Sequence, residues 1–176
     1  FIEFYKKFSG IICYHCSNSQ ISLRSPHKIG SVFYVKSRLE NTKKYKTDSI
    51  DTLKQDLHTK NSSSYFAYSG FDRLYKFFES EKYFKLEKKF SSMWIMDVAK
   101  CFDSIYTHTI SWAVKTKEFA KDTIGYKSSF GQQFDIIMQR CNDNETNGII
   151  IGPEFSRIFA ETIFQDIDSK VIENLK

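Results

Sequence analysis

Apolar side chains recur at the spacing of an α-helix along much of the chain. Apolar residues between Phe4 and Ile12 fall on one helical face, which predicts a helix over residues 1–16. Pro153 and Glu154 favour the first turn of a helix, because proline needs no hydrogen-bond partner there and an acid complements the helix dipole. Similar apolar spacing predicts further helices over residues 71–90 (as one helix or two), 110–120, 130–141 and 154–167.

The run from Met93 to Val98 (MWIMDV) does not follow the helical spacing. It is short, apolar and interrupted only by Asp97, a pattern that predicts a buried strand. Asp97 would then be a charge at the end of a core strand. A lone buried carboxylate costs several kcal/mol unless it is paired, hydrogen-bonded or bound to a metal.

The remaining segments are less regular. Residues 30–39 contain alternating β-branched and aromatic side chains, and the pattern predicts either a strand or a short helix. Residues 41–64 are polar and charged, which is typical of an exposed insertion or loop. Residues 142–148 (NDNETNG) predict a turn.

The charge is divided unevenly along the chain. Residues 1–90 contain 17 Lys and Arg against 9 Asp and Glu, for a net charge of +8, whereas residues 91–176 contain 9 against 12, for −3. A basic first half suits a polyanionic partner such as nucleic acid or a nucleoside triphosphate, and a solvated lysine-rich surface explains it equally well. The acidic second half suits either metal binding or an acidic surface.

Composition excludes several classes of protein. Hydrophobic residues make up 41% of the chain, and apolar runs such as Ile149–Ile151 are far too short to cross a bilayer. Two prolines and seven glycines exclude collagen-like and low-complexity sequences. The four cysteines are predicted to be free thiols. The chain opens at Phe1 and closes within a predicted helix, so we interpret it as a fragment of a longer protein, with no signal peptide.

Two segments together suggest a function. The first, residues 97–105 (DVAKCFDSI), is predicted to be a strand end followed by a turn. The second, residues 147–161 (NGIIIGPEFSRIFAE), is a glycine turn leading into a helix that carries Ser156. In this order they resemble motif A and motif B of the reverse transcriptase palm. With IYTHTISWA between them, they resemble more narrowly the abortive-infection and defence-associated reverse transcriptases of bacteria. The resemblance is dense over residues 90–170 and weak over 1–89.

The resemblance implies a fold and a function. The expected fold is α+β, the fingers and palm of a right-hand polymerase, with a small antiparallel palm sheet backed by helices. Residues 1–89 would form a fingers-like basic region, and residues 90–176 the first part of the palm. The implied activity is RNA-directed DNA polymerisation in antiphage defence by a cytoplasmic bacterial protein. The implied partners are dNTPs, a template or primer nucleic acid and other subunits in a homo- or hetero-oligomer, with no membrane.

The resemblance also assigns roles to residues of the first motif. Nucleotidyl transfer uses two divalent metal ions, and Mg²⁺, with Mn²⁺ as an alternative, prefers hard oxygen ligands. Asp97 aligns with a catalytic metal ligand, and the Val98 carbonyl is a second candidate; a helix cap or a buried salt bridge is the structural alternative for Asp97. Phe102 aligns with the aromatic residue that lies below the incoming sugar and excludes a 2′ hydroxyl. The alternative for Phe102 is an ordinary core phenylalanine.

Nucleotide and phosphate contacts are assigned in the same way. Gly152 aligns with the motif B glycine that leaves room for the incoming nucleotide. Arg24, in LRSP, resembles the basic finger residue that contacts the triphosphate, and Lys28 and Arg73 compete for that role. Arg157 is expected either to contact phosphate or a neighbouring subunit, or to be a surface arginine.

One element of the reverse transcriptase palm is missing from the sequence. The aromatic-x-Asp-Asp hairpin that follows motif B does not occur, and Asp166 and Asp168 would face opposite sides of one helix. We therefore expect these residues alone to be inactive and the complete protein to be the enzyme. The alternatives are a catalytically degenerate polymerase-like domain that binds nucleic acid or protein, and a plain helical interaction domain. ATPase, Rossmann-type and hydrolase motifs do not occur.

Overall fold

The structure is a computed structural model that describes residues 1–17, 21–30, 64–71, 73–115, 117–122 and 128–175. These residues form helices and one small antiparallel sheet, so the predicted α+β class is confirmed. The strands are β1 (Arg24–Ile29) and β2 (Phe66–Gly70). The helices are α1 (Ile2–Cys16), α2 (Leu74–Phe78), α3 (Glu81–Lys89), α4 (Cys101–Ser104), α5 (Thr109–Val114), α6 (Lys117–Asp122), α7 (Phe130–Cys141) and α8 (Glu154–Asn174).

One apolar core joins the first helix to the last. Helix α1 packs on β1 and α8, and α5 lies between α7 and α8. Phe134 of α7 is fully buried at the centre, where its ring contacts those of Phe4, Phe155 and Phe159 at centroid distances of 4.7–4.8 Å. The predicted helix over residues 1–16 is confirmed, and its predicted apolar face is the one that enters this core.

The sheet consists of β1 and β2, paired antiparallel from Arg24 opposite Gly70 to Ile29 opposite Phe66. The register shifts between Pro26 and Lys28, because proline has no N–H to donate to the ladder. Phe66 is fully buried against α1, and its ring meets that of Tyr5 edge to face. The sheet therefore lies within the region predicted to be fingers-like, whereas the described residues of 90–176, where a palm sheet was expected, contain no strand.

The amphipathic segment over residues 71–90 forms two short helices, α2 and α3, and this prediction is confirmed. Ser80 caps α3 by accepting a hydrogen bond from the Tyr83 N–H, which satisfies one of the free donors of the first turn. The two helices contact each other through aromatic rings such as Phe78 and Tyr83, 5.0 Å apart. No residue of α2 or α3 is buried, so this pair is peripheral to the core.

The buried strand predicted over Met93–Val98 is wrong. The segment has no regular hydrogen-bonded structure and every side chain in it is exposed, with Trp94 and Met96 each 87% accessible. A strand requires a neighbouring strand to pair with its backbone groups, and no strand in the described part of the chain lies beside this one. An apolar run indicates a preference for a sheet, but it contains no information about whether a partner strand is present.

Two further predictions are adjusted. The single helix predicted over residues 110–120 is divided into α5 and α6, because Lys115 has an extended backbone and the β-branched residues beside it disfavour helix. Helix α8 continues to Asn174, beyond the predicted 154–167. The helix over 130–141 and the turn after it are confirmed. The predictions for residues 31–39 and 41–63 lie outside the described residues.

Candidate functional site

The segments that resemble motif A and motif B lie side by side, paired through their backbones. The Thr107 N–H donates to the Thr146 carbonyl, the Gly148 N–H to the Ile105 carbonyl and the Ile149 N–H to the Phe102 carbonyl, each over 2.9 Å. Tyr106 and Asn147 form an antiparallel bridge at the centre of this contact. We call this contact between residues 102–107 and 146–149 the motif pairing. It fixes the position of Phe102 relative to the chain that leads into α8.

Gly148 makes the motif pairing sterically feasible. Its φ is +86°, a left-handed conformation that residues with a Cβ rarely adopt, and a Cβ here would lie 3.3 Å from the Asp103 carbonyl oxygen. The Asn142 side-chain amide donates to the Gly148 carbonyl over 3.1 Å and closes the turn after α7. The local sequence predicts only a turn over residues 142–148, and the pairing that this turn allows is visible only in the structure.

Phe102 lies in α4 at the edge of the core. Its side chain is partly buried and packs against the buried cluster, while its carbonyl accepts the bond from Ile149. This position is compatible with both predicted roles, a wall below a bound sugar and an ordinary core residue. Lys100, just before α4, has a left-handed backbone with φ +48°, which turns the chain between the extended segment and this helix.

Asp97 and Val98 lie on the exposed extended segment, so the prediction that Asp97 is a charge at the end of a buried strand is wrong. The Asp97 carboxylate is close enough to Cys101 to contribute to a raised pKa of that thiol, although burial is the larger cause. Mg²⁺ needs several hard oxygen ligands around one point. Within the described ranges, no group of three or more His, Cys, Asp and Glu lies close enough to hold a metal ion. Asp97 therefore fits only part of such a site.

Gly152 lies in the connection between the motif pairing and α8. Its φ is +117°, which strains any residue other than glycine, and no atom lies within 4 Å of the position a Cβ would occupy. The backbone therefore turns here beside open space, into which a ligand could approach the chain. Pro153 is the N-cap residue of α8, one position before the first turn in which the sequence predicts it.

The first turn of α8 contacts the sheet through Glu154. The Tyr68 hydroxyl donates to a Glu154 carboxylate oxygen over 2.7 Å, which joins β2 to the start of α8. The Arg24 guanidinium carbon lies 4.1 Å from the centre of the Tyr68 ring, a cation–π geometry. Burial, and next the bond to Glu154, raise the pKa of Tyr68 well above its usual range. Tyr68 therefore remains a neutral hydrogen-bond donor.

Of the predicted phosphate contacts, the structure brings Arg24 and Arg157 to one place. Both guanidinium groups act electrostatically on the Tyr68 hydroxyl, and Arg157 is exposed one turn into α8. Lys28 on β1 and Arg73 just before α2 are exposed. Of the three predicted triphosphate contacts, Arg24 is the one whose guanidinium the structure places over the Tyr68 ring.

Several buried polar atoms near the start of α8 have no hydrogen-bond partner among the described residues. They are the Tyr5 hydroxyl, the Arg24 Nε and the Ser156 Oγ. Tyr5 packs its ring on Phe155 and senses the charge of Glu154, which contributes, after burial, to raising its pKa. A buried polar group without a hydrogen-bond partner costs roughly 1–3 kcal/mol of stability, so a polar ligand or water that bonded to these atoms would remove that cost.

Glu161 lies about two turns after Glu154 on α8 and adds a second carboxylate to this polar region. Ser22 and Gln165 each donate to its Oε1 atom over 2.7 Å. Burial raises the pKa of Glu161, while the two hydrogen bonds and the charge of Arg24 oppose that rise. Arg24 therefore acts electrostatically on Glu161 as well as on Tyr68, the partner of Glu154.

The chain matches no protein-family model, no curated protein and no solved structure with which it was compared. In the described part of the chain, no helix combines the length and the apolar character needed to cross a membrane.

Sequence reasoning missed Tyr68, Tyr5 and Glu161 at this site. Tyr68 and Tyr5 belong to segments far from residues 147–161 in sequence, and nothing in their local pattern distinguishes them from core aromatics. Glu154 was interpreted only as a favourable first-turn acid. Its contact with Tyr68 depends on β2 passing the start of α8, which no local pattern predicts.

Proposed function

We propose that this chain belongs to a nucleotidyltransferase of the reverse transcriptase type, an RNA-directed DNA polymerase that acts in antiphage defence. The observation that carries the proposal is the motif pairing. The two segments that resemble motif A and motif B in sequence order are held together by backbone bonds from Ile149 to Phe102 and from Gly148 to Ile105. In this proposal the described residues are part of the fingers and of the palm.

The start of α8 would receive the nucleotide. Arg24 and Arg157 supply positive charge beside Tyr68, and the N-terminus of a 21-residue helix favours an anion by its dipole. Gly152 leaves open space next to this turn, and Phe102 is joined to the same connection through Ile149. In this proposal Arg24 contacts the triphosphate and Phe102 limits the size of the sugar.

A divalent ion would stabilise the charge that develops on the transferred phosphate. Asp97 and the Val98 carbonyl would supply hard oxygen ligands to it, and the rest of the coordination would come from other groups. Because the Asp97 side chain is exposed, it can bind a ligand without disturbing the core.

A second candidate function is nucleic-acid binding without catalysis by a degenerate polymerase-like domain. Lys82, Lys85 and Lys89 of α3 lie on one side of an exposed helix, at positions three and four residues apart. Such neighbouring like charges repel one another, and a phosphate backbone relieves that repulsion. This observation favours contact with a nucleic acid under both candidate functions.

The decisive experiment replaces Asp97 with asparagine in the full-length protein. We expect Asp97→Asn to abolish incorporation of labelled dNTPs in the presence of Mg²⁺ or Mn²⁺, because the amide cannot replace a charged metal ligand. The unfolding temperature should be unchanged, since the side chain is exposed. Asp103→Asn is the matched control, an exposed acid close by in the same segment, and it should retain incorporation.

The two candidate functions predict different results. Wild-type incorporation that survives Asp97→Asn would remove Asp97 from the site. A wild-type protein that incorporates no dNTP but binds single-stranded nucleic acid, with binding weakened by added salt, would support the second candidate function instead.

A further inference from the structure

A buried carboxylate lies beside the motif pairing without belonging to it. Asp135 of α7 is 6% exposed, and one of its oxygens contacts His108 Nδ1 at 2.5 Å. Its other oxygen accepts a hydrogen bond from the Gln139 side-chain amide over 2.7 Å. Both carboxylate oxygens are thus occupied, and His108 is the residue that immediately precedes α5.

The Gln139 amide nitrogen is also 3.4 Å from the hydroxyl oxygen of Thr107, which is fully buried. Thr107 in turn donates its backbone N–H to Thr146, the first bond of the motif pairing. Residues Thr107, His108, Asp135 and Gln139 therefore form a continuous network, which we call the four-residue network. It ties α7 to the end of the motif pairing.

A buried carboxylate is costly unless it is fully hydrogen-bonded, so the four-residue network has few alternative arrangements. The His108 side chain is 42% exposed, and it is held by its bond to Asp135 and by the Tyr106 ring, which meets it edge to face at a centroid distance of 5.0 Å. The network thus fixes residues 107 and 108, and through them the register of residues 102–107 against residues 146–149.

We propose that His108 and Asp135 are positioning residues, which hold the motif pairing in register and so set the placement of Phe102 relative to Gly152. The consequence for nucleotide selection rests on the proposed function, whereas the structural role does not. The part of His108 that contacts the Asp135 carboxylate is the ring atom Nδ1. To donate a hydrogen bond there, the ring must carry a proton on Nδ1, which is true of the imidazolium and of one neutral tautomer.

Asparagine separates the role of the donor from that of the ring, because its side-chain amide nitrogen can occupy the place of Nδ1. The test therefore compares His108→Ala, His108→Asn and His27→Ala in the full-length protein. His27 on β1 is exposed, so His27→Ala makes the same chemical change outside the network. The first measurement is amide hydrogen exchange at Thr107, Gly148 and Ile149.

We expect His108→Ala to accelerate exchange at these three amides by about tenfold or more, the effect of losing one hydrogen bond to a charged group. His108→Asn should return the exchange rates to within about threefold of wild type. The amide nitrogen of asparagine restores the hydrogen bond to Asp135, but not with the geometry of the ring. The amide of Phe159, buried in α8, should change much less. Unchanged exchange in His108→Ala would overturn the proposal, and so would equal acceleration at all amides or failure of asparagine to rescue.

The second measurement is the ratio of ribonucleotide to deoxyribonucleotide incorporation. His108→Ala should change this ratio and His108→Asn should restore it, an effect that a loss of stability alone does not produce. An unchanged ratio in an active protein with accelerated exchange would overturn the positioning role. If wild type incorporates no nucleotide, the proposed function fails, and hydrogen exchange alone still decides whether the network holds the motif pairing.

Discussion

Two glycines within helices should respond in opposite ways to the same substitution. Gly10 lies in the middle of α1, is exposed, and has no atom within 4 Å of the position that a Cβ would occupy. Gly131 lies in the first turn of α7, where a Cβ would come within 2.8 Å of Ser111 Oγ and 3.0 Å of Ser111 Cα. Helix α7 approaches α5 closely at this point, and only the absence of a side chain permits it.

The magnitudes decide the sign at each site. Alanine stabilises a helix interior over glycine by up to about 1 kcal/mol, and less in a first turn. Overpacking costs about 1–3 kcal/mol, and the hydroxyl of Ser111 can rotate away whereas its Cα cannot. We therefore expect Gly131→Ala to lower the free energy of unfolding by about 1–2 kcal/mol and the melting temperature by roughly 2–8 °C. Gly10→Ala should raise the free energy of unfolding by about 0.5–1 kcal/mol.

Urea unfolding followed by far-ultraviolet circular dichroism measures both variants against wild type. Equal slopes of free energy against urea concentration would show that the comparison concerns stability alone. A Gly131→Ala variant as stable as wild type, or more stable, would refute the close approach of α7 to α5. Shifts of the same sign in both variants would show that helix propensity outweighs packing at Gly131.

Two other substitutions test the site. Because the pKa of Glu161 is raised, the folded state favours the protonated carboxyl. The stability that this protonation contributes is complete below the pKa of the unfolded chain and is lost as pH rises through the pKa of the folded protein. Glu161→Gln removes this loss, and the stability of the variant relative to wild type should increase as pH rises from about 4 to about 7; a difference independent of pH would contradict the assignment. Phe102→Val should raise the ratio of ribonucleotide to deoxynucleotide incorporation in the full-length protein, whereas a lower melting temperature with an unchanged ratio would make Phe102 a core residue.

Local patterns in the sequence predicted most helices and failed for the extended segment. The apolar spacing of α1 and α7 is a property of each helix alone, and both were predicted within a residue or so of their observed limits. The run around Trp94 has the composition of a buried strand, but burial depends on a partner that composition does not reveal. The break at Lys115 falls inside the single helix predicted over residues 110–120, where a small local preference decides the outcome.

The candidate site was partly predicted for the same reason. Gly152 and Arg157 are neighbours in sequence and were found together by their motif. The position of Arg24 beside Tyr68, on which Arg157 also acts, follows from the pairing of β1 with β2 and from the bond between Tyr68 and Glu154. Such contacts between distant segments are set by tertiary packing, so the sequence indicated Arg24 only through its resemblance to a family and could not separate it from Lys28 and Arg73.

The packing of α1 against α8 has a consequence for how the chain folds during synthesis. Cys16 and Thr162, whose side chains are 3.5 Å apart, are separated by 146 positions. At about 5–20 residues per second, a ribosome needs roughly 7–30 s to make the intervening chain, so the part of the α1 face that packs on α8, rather than on β1, remains uncovered for that time. Contacts of such long range slow folding, because the chain loses loop entropy before it gains the contact. We therefore expect Phe4 and Phe8, which pack on Phe130 of α7, to be exposed on the nascent chain until α7 and α8 emerge.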